Sequence, residues 1–132
     1  MRYSTQALPT SRFIPGRGPR PSRTIQPPAP LHPEEWWDCD DYLHAIDLFN
    51  AGYYWECHEV LEGLWKAAGK RGALARFLQG LIQIAASRLR GSAELAQKGY
   101  SKFAGLPSPF LGVELGELKQ ATVALRIPPR LP

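Results

Sequence analysis

The sequence has too few cysteines for a disulfide framework, and it has no long apolar run. Only two of its 132 residues are cysteines, Cys39 and Cys57, and they do not form a Cys-x-x-Cys pair. This pattern favours neither a disulfide scaffold nor a cysteine-based zinc site, so we interpret both as small buried side chains in a reducing compartment. No apolar stretch approaches the ~20 residues that a membrane-spanning helix requires. We therefore expect no membrane partner.

Acidic residues are missing from the first 33 positions, which carry five arginines. The rest of the chain holds the other 11 of the 16 basic residues and all 12 acidic ones, so that part is close to neutral. A nucleic-acid-binding domain needs a basic stripe on the domain itself, and none is evident. The charge distribution argues against nucleic acid as a partner.

Proline is concentrated in the same N-terminal region, with eight prolines among residues 1–33. Because each proline removes a backbone donor, we expect residues 1–33 to form an extended tail without secondary structure. The tail would lie along a domain that covers residues 34–127. Its arginine-rich, acid-free composition resembles an organelle transit peptide, but the prolines oppose the amphipathic helix that mitochondrial import uses. We therefore expect a cytoplasmic protein.

Apolar residues recur at helical spacing, and no segment alternates with a period of two. The pattern predicts an all-α fold, a compact array of about five helices. The link between the first two predicted helices is so short that we expect an antiparallel hairpin, with the third helix packed across it. Glycine or proline marks the predicted ends, which give helices over about 36–51, 53–68, 72–90, 92–104 and 110–126.

The second predicted helix carries the most distinctive polar stripe of the chain. His58 and Glu62 are four residues apart and Trp65 follows three residues later, so the three side chains share one stripe at the edge of the apolar face. The other charged residues of this helix are predicted to point towards solvent: Glu56, Glu59 and Lys66.

The third predicted helix has a matching polar pair. Gln79 and Gln83 lie at the edge of its apolar face, with Arg76 alongside. Half-buried polar groups need partners, so we expect this pair to face His58 and Glu62 across the interface between the two helices.

Three interpretations of His58 and Glu62 remain open at this point. The pair could bind a divalent metal ion, act as a general acid and base, or join the glutamines in a structural hydrogen-bond network beside Trp65. One imidazole and one carboxylate at this spacing can hold an ion, but a stable site needs a third protein ligand. The His-Glu-x-x-His pattern of zinc proteases is absent.

The stretch from Phe49 to Trp65 resembles the bacterial and archaeal family called domain of unknown function 309. The family's hallmark, H-x-x-x-E-x-x-W, is matched by His58, Glu62 and Trp65, and residues 76–86 resemble its second block. The resemblance covers about residues 40–126. It implies a compact all-α fold and a functional role for the stripe, with metal binding suggested for the family and no activity established.

A non-enzymatic scaffold is the alternative to a metal or catalytic site. Asn50 and Gly52 are expected to cap and turn the end of the first helix, and with the aromatic residues of the second helix they resemble hairpins of tetratricopeptide-type repeats. One hairpin does not form an array. This alternative therefore requires a protein partner or self-association as a homo-oligomer.

Overall fold

The computed structural model describes residues 3–9, 31–69 and 71–119. Within these ranges the chain forms four α-helices and two short 3-10 helices and contains no strand, so the all-α fold class is confirmed. The α-helices are α1 (Asp40–Asn50), α2 (Tyr54–Ala67), α3 (Gly72–Arg90) and α4 (Ala93–Ser101), and the 3-10 helices span Pro33–Asp38 and Leu115–Lys119.

The helix boundaries follow local sequence chemistry. The first predicted helix is divided, because Cys39 is extended (φ −91°, ψ 96°) between the first 3-10 helix and α1. At the other end of α1, Gly52 adopts a positive φ of 85°, and the Tyr53 N–H donates to the Leu48 carbonyl at 2.8 Å. This bond satisfies one of the carbonyls that every helix end leaves without a partner.

Helices that are consecutive in the chain pack against each other: α1 on α2, α2 on α3, and α3 on α4. Three residues connect α1 to α2, and the two helices pack against each other, as the predicted hairpin requires. The α3–α4 contact is especially close, because Gly80 and Gly99 bring the two backbones together.

The core is built around aromatic side chains from several elements. Phe77 of α3 is fully buried, and its ring contacts Tyr42 of α1 as well as Phe103 and Phe110 from the C-terminal part of the described chain. The Tyr42 hydroxyl donates to the Leu111 carbonyl at 2.8 Å. Burial raises the pKa of Tyr42 well above its usual value, so this hydroxyl keeps its proton and serves as a donor.

The helix predicted over 110–126 is wrong for the part that the structure describes. Phe110 and Val113 pair their backbones across a tight turn, in which Leu111 and Gly112 have positive φ values of 46° and 79°. A 3-10 helix follows at Leu115–Lys119. Positive φ at consecutive residues is incompatible with a right-handed helix, and residues 120–126 lie outside the described ranges.

The N-terminal residues 3–9 contain neither helix nor strand, which agrees with the expectation for the tail. Residues 10–30 lie outside the described ranges, and the division between tail and domain near residue 33 stays a prediction. Both cysteines are free and buried, and burial raises the pKa of each thiol, so they act as apolar core groups. Among the described helices, none combines the length and apolar character needed to cross a bilayer.

Candidate functional site

The site lies on α2, where one face of the helix meets solvent. Cys57, Leu61 and Leu64 are buried on the core side of α2. His58 and Glu62 are offset from that side and keep 29% and 37% of their side-chain surface exposed. The sequence placed the pair at the edge of the apolar face, and the half-buried side chains agree with that position.

His58 and Glu62 are in direct contact, with 3.1 Å between His58 Nε2 and Glu62 Oε2. One helical turn separates the two residues, so the helix itself sets this distance and no other element has to position it. The contact leaves the second ring nitrogen, Nδ1, available on the other side of the imidazole.

Glu59 occupies that other side, contrary to the sequence prediction that it points to solvent. Its Oε1 lies 3.5 Å from His58 Nδ1, and its side chain is only 25% exposed. Adjacent helical residues are 100° apart, which is why the helical stripe did not include Glu59. The imidazole and the glutamate side chain are nevertheless long enough to meet above the helix surface. Glu56 also departs from the prediction, since its Oε1 is buried.

Lys66 completes a line of charges along the helix. Its Nζ lies 3.5 Å from Glu62 Oε1, and the other carboxylate oxygen of Glu62, Oε2, contacts His58. The order of groups is therefore Lys66, Glu62, His58 and Glu59. The sequence analysis expected Lys66 to point towards solvent and did not predict this pair, although the spacing of four between Glu62 and Lys66 is the signal that could have indicated it. Lys66 is 60% exposed, so water screens much of its attraction.

The predicted supporting residues are less closely associated with this site. Trp65 is half-buried and packs against the core, whereas Asn50 is exposed at the last position of α1. Arg76 donates to the carbonyls of Lys102 and Ala104 just beyond α4. Arg76 thus stabilises the end of α4, a structural contact that the sequence did not predict.

Gln79 and Gln83 are half-buried, but in the described part of the chain neither one hydrogen-bonds to His58 or Glu62. Gln83 lies next to α4, since a Cβ atom added to Gly99 would come within 3.0 Å of the Gln83 Cβ. Its Oε1 is buried without a hydrogen-bond partner among the described residues. The assignment of the two glutamines to the site stays a prediction.

The donor set has the chemistry of a divalent cation site. One ring nitrogen of His58 and one carboxylate oxygen each of Glu59 and Glu62 lie within 4.8 Å of one another. Two ligand atoms at the tetrahedral angle on a zinc ion, each bonded at about 2.1 Å, are about 3.4 Å apart. The 3.1 Å between His58 Nε2 and Glu62 Oε2 is shorter than this separation and is the length of an ordinary hydrogen bond, so the two groups would move slightly apart around an ion.

The resemblance to the domain of unknown function 309 family is confirmed for the central part of the chain. The model of that family, described as "Domain of unknown function (DUF309)", matches residues 42–99. This range runs from α1 into α4 and contains His58, Glu59 and Glu62. Comparison with curated proteins and with solved structures gives no match.

Proposed function

We propose that this chain binds a divalent metal ion on α2, with His58 Nε2 and Glu62 as ligands. The observation that carries the proposal is the cluster of donor groups on one helix: a ring nitrogen of His58 and one carboxylate oxygen each of Glu59 and Glu62 lie within 4.8 Å of one another. Imidazole nitrogen and carboxylate oxygen together suit zinc, manganese and iron.

Glu59 has a separate role in this proposal, since it lies against Nδ1 and the ion would be on Nε2. A histidine that binds metal usually donates its other N–H to a carboxylate or a carbonyl, which fixes the tautomer and the orientation of the ring. Glu59 Oε1 lies 3.5 Å from Nδ1, so a small side-chain movement would let it accept the Nδ1 proton and leave the Nε2 lone pair for the ion. Because His58 and Glu62 supply only two protein ligands in this arrangement, the ion would be held weakly, and water or a substrate atom on the exposed side of the cluster would complete the coordination.

Two alternatives use the same residues. A metal-free acid and base pair would need the same contact between His58 and Glu62, and a structural network would need partners from α3. No hydrogen bond from Gln79 or Gln83 to the pair occurs among the described residues, so this network has less support than the metal site. Metal titration separates the alternatives, because only the first requires an ion.

We expect Glu62→Gln to fold normally and to lose most of its metal affinity. The amide keeps the shape of the side chain but removes the charge, so the loss should exceed the ~10–100-fold that removing an orienting partner such as Glu59 costs. Isothermal titration with Zn²⁺ and Mn²⁺ measures the affinity, and a thermal melt checks the fold.

Glu94→Gln is the matched control for this variant. Glu94 pairs with Lys98 on α4 at the same spacing and the same 3.5 Å as Glu62 with Lys66, but no histidine is part of that pair. The control should bind metal like the wild type. A wild type that binds neither ion, or equal affinities for wild type and Glu62→Gln, would refute the proposal.

Lys66→Met should increase the metal affinity several-fold. Lys66 lies 3.5 Å from Glu62 Oε1, so it competes with a cation for the same carboxylate, and methionine removes the charge at similar length. The gain is limited to roughly 1 kcal/mol because the pair is exposed. Lys98→Met, from the equivalent pair on α4, should leave the affinity unchanged. A weaker affinity for Lys66→Met would mean that the ion does not use Glu62.

A further inference from the structure

The first eight residues differ from the rest of the N-terminal region in one respect, since none of them is proline. The eight prolines of residues 1–33 begin at Pro9. Residues before Pro9 therefore keep their backbone N–H donors, and a segment that forms neither helix nor strand needs other acceptors for them. The N–H groups of Tyr3, Ser4 and Thr5 donate to carboxylates of α1, and the Gln6 N–H donates to the Ser4 hydroxyl.

Asp47 is the central acceptor, and it is a buried carboxylate with 3% of its surface exposed. Its Oδ1 accepts the Tyr3 N–H at 2.8 Å, and its Oδ2 accepts the Ser4 N–H at 2.8 Å. A buried charge is costly unless it is hydrogen-bonded, so two charge-assisted bonds from one segment form a strong attachment.

Asp40 lies two helical turns before Asp47 on α1 and also accepts hydrogen bonds from the N-terminal segment. It accepts the Thr5 N–H at 2.9 Å and the Thr5 hydroxyl at 2.9 Å. The Gln6 side-chain amide reaches both Asp40 and Asp41, at 3.2 and 2.9 Å. Desolvation acts to raise the pKa of Asp40, but the donors of Thr5 and Gln6 outweigh it and the pKa is lowered.

The geometry is that of a peptide lying antiparallel to a helix. Asp40 and Asp47 are seven residues apart and therefore share one face of α1. Tyr3 pairs with the later aspartate and Thr5 with the earlier one. The side chains of Tyr3 and Leu8 also pack against the core, so the contact is partly apolar.

We propose that Asp40, Asp41 and Asp47 form a binding site on α1 for a short, proline-free peptide segment that bends at the helix surface, as residues 4–6 do. The chain's own residues 3–6 occupy this site and form a latch that opens while the four helices remain folded. The hydrogen bonds attach residues 3–6 to side chains of α1, whereas the helices are held together by packing on their neighbours, so the latch can separate without disrupting that packing. This inference is independent of the metal site.

Amide hydrogen exchange of the full chain tests the latch. In Asp47→Asn, which keeps the shape and removes the charge, the Tyr3 and Ser4 amides should exchange at least about tenfold faster, the factor that corresponds to one charge-assisted hydrogen bond. The amides of α3 should be unaffected, and Glu94→Gln should behave as the wild type. Unchanged exchange of Ser4 in Asp47→Asn, or acceleration of α3 together with Tyr3, would overturn the proposal.

A second variant tests the binding site without altering α1. Ser4→Pro removes one of the two N–H groups that donate to Asp47 and also restricts the backbone of Tyr3, so the chain's own segment should be held less tightly in the site. A synthetic peptide of residues 1–9 should then bind to full-length Ser4→Pro and fail to bind to the double variant with Asp47→Asn. No binding to Ser4→Pro, or equal binding to both proteins, would show that α1 carries no peptide site.

Discussion

Phe77→Ala is expected to lower the free energy of unfolding by about 3–5 kcal/mol. Phe77 is fully buried, and its ring lies 4.9 Å from that of Phe110, 5.9 Å from Phe103 and 6.4 Å from Tyr42. Alanine would remove the ring that joins α1 and α3 to the C-terminal segment and leave a cavity that these rigid neighbours cannot close. The loss is a large share of the ~5–15 kcal/mol that stabilises a domain.

Urea denaturation followed by circular dichroism measures this change. Trp37→Ala is the control, because Trp37 is also a large aromatic residue but is exposed on the first 3-10 helix. It should cost less than about 1 kcal/mol, as surface substitutions usually do. A loss below about 1 kcal/mol for Phe77→Ala would mean that the aromatic cluster does not hold the elements together.

Gly99→Ala should destabilise the domain by about 1–3 kcal/mol, the range for an overpacked core. A Cβ atom at this position would lie 2.7 Å from the Gly80 carbonyl oxygen and 2.9 Å from Ile84 Cγ1. The Gly80 oxygen belongs to the backbone of α3 and cannot rotate away, so α4 would have to move outwards. The ~1 kcal/mol that alanine gains over glycine in a helix offsets only part of this cost.

The matched control is Gly116→Ala, where a Cβ atom would meet no other atom within 4 Å. We expect a change of less than about 0.5 kcal/mol there, measured in the same denaturation experiment. Because Gly99 lies on α4 and the proposed ligands lie on α2, folded Gly99→Ala should still bind metal. Equal stability of the two variants would contradict the close packing of α3 on α4.

The apolar pattern predicted the helices correctly where a glycine marks their end. It failed after residue 110, because buried side chains at helical spacing can also occur in a segment that is not a helix. The structure gives α3 as Gly72–Arg90, the range predicted, and Gly91 ends it with φ 67°. Leu111, Leu115 and Leu118 have helical spacing too, and all three are buried. Leu111 nevertheless lies in a turn, because spacing shows only which side chains face the core.

The candidate site also has one part that the sequence could predict and one part that it could not. The contact between His58 and Glu62 follows from a spacing of four on one helix, so the sequence was sufficient to predict it. The expected hydrogen bonds to Gln79 and Gln83 depended on how α3 rotates against α2. Gln83 lies beside Gly99 instead, since α4 packs on that side of α3. No periodicity within one helix contains this information.

By itself, the sequence determined the helical class, the ends of α3 and the stripe of His58 and Glu62, because these depend on local hydrogen bonding and on helical geometry. Only the tertiary structure decided that residues 3–6 attach to Asp40 and Asp47 and that Leu111 lies in a turn. These features join residues that are far apart in the chain or fit around a core built by several elements. Their free energy comes from burial and pairing in three dimensions, which local sequence patterns do not specify.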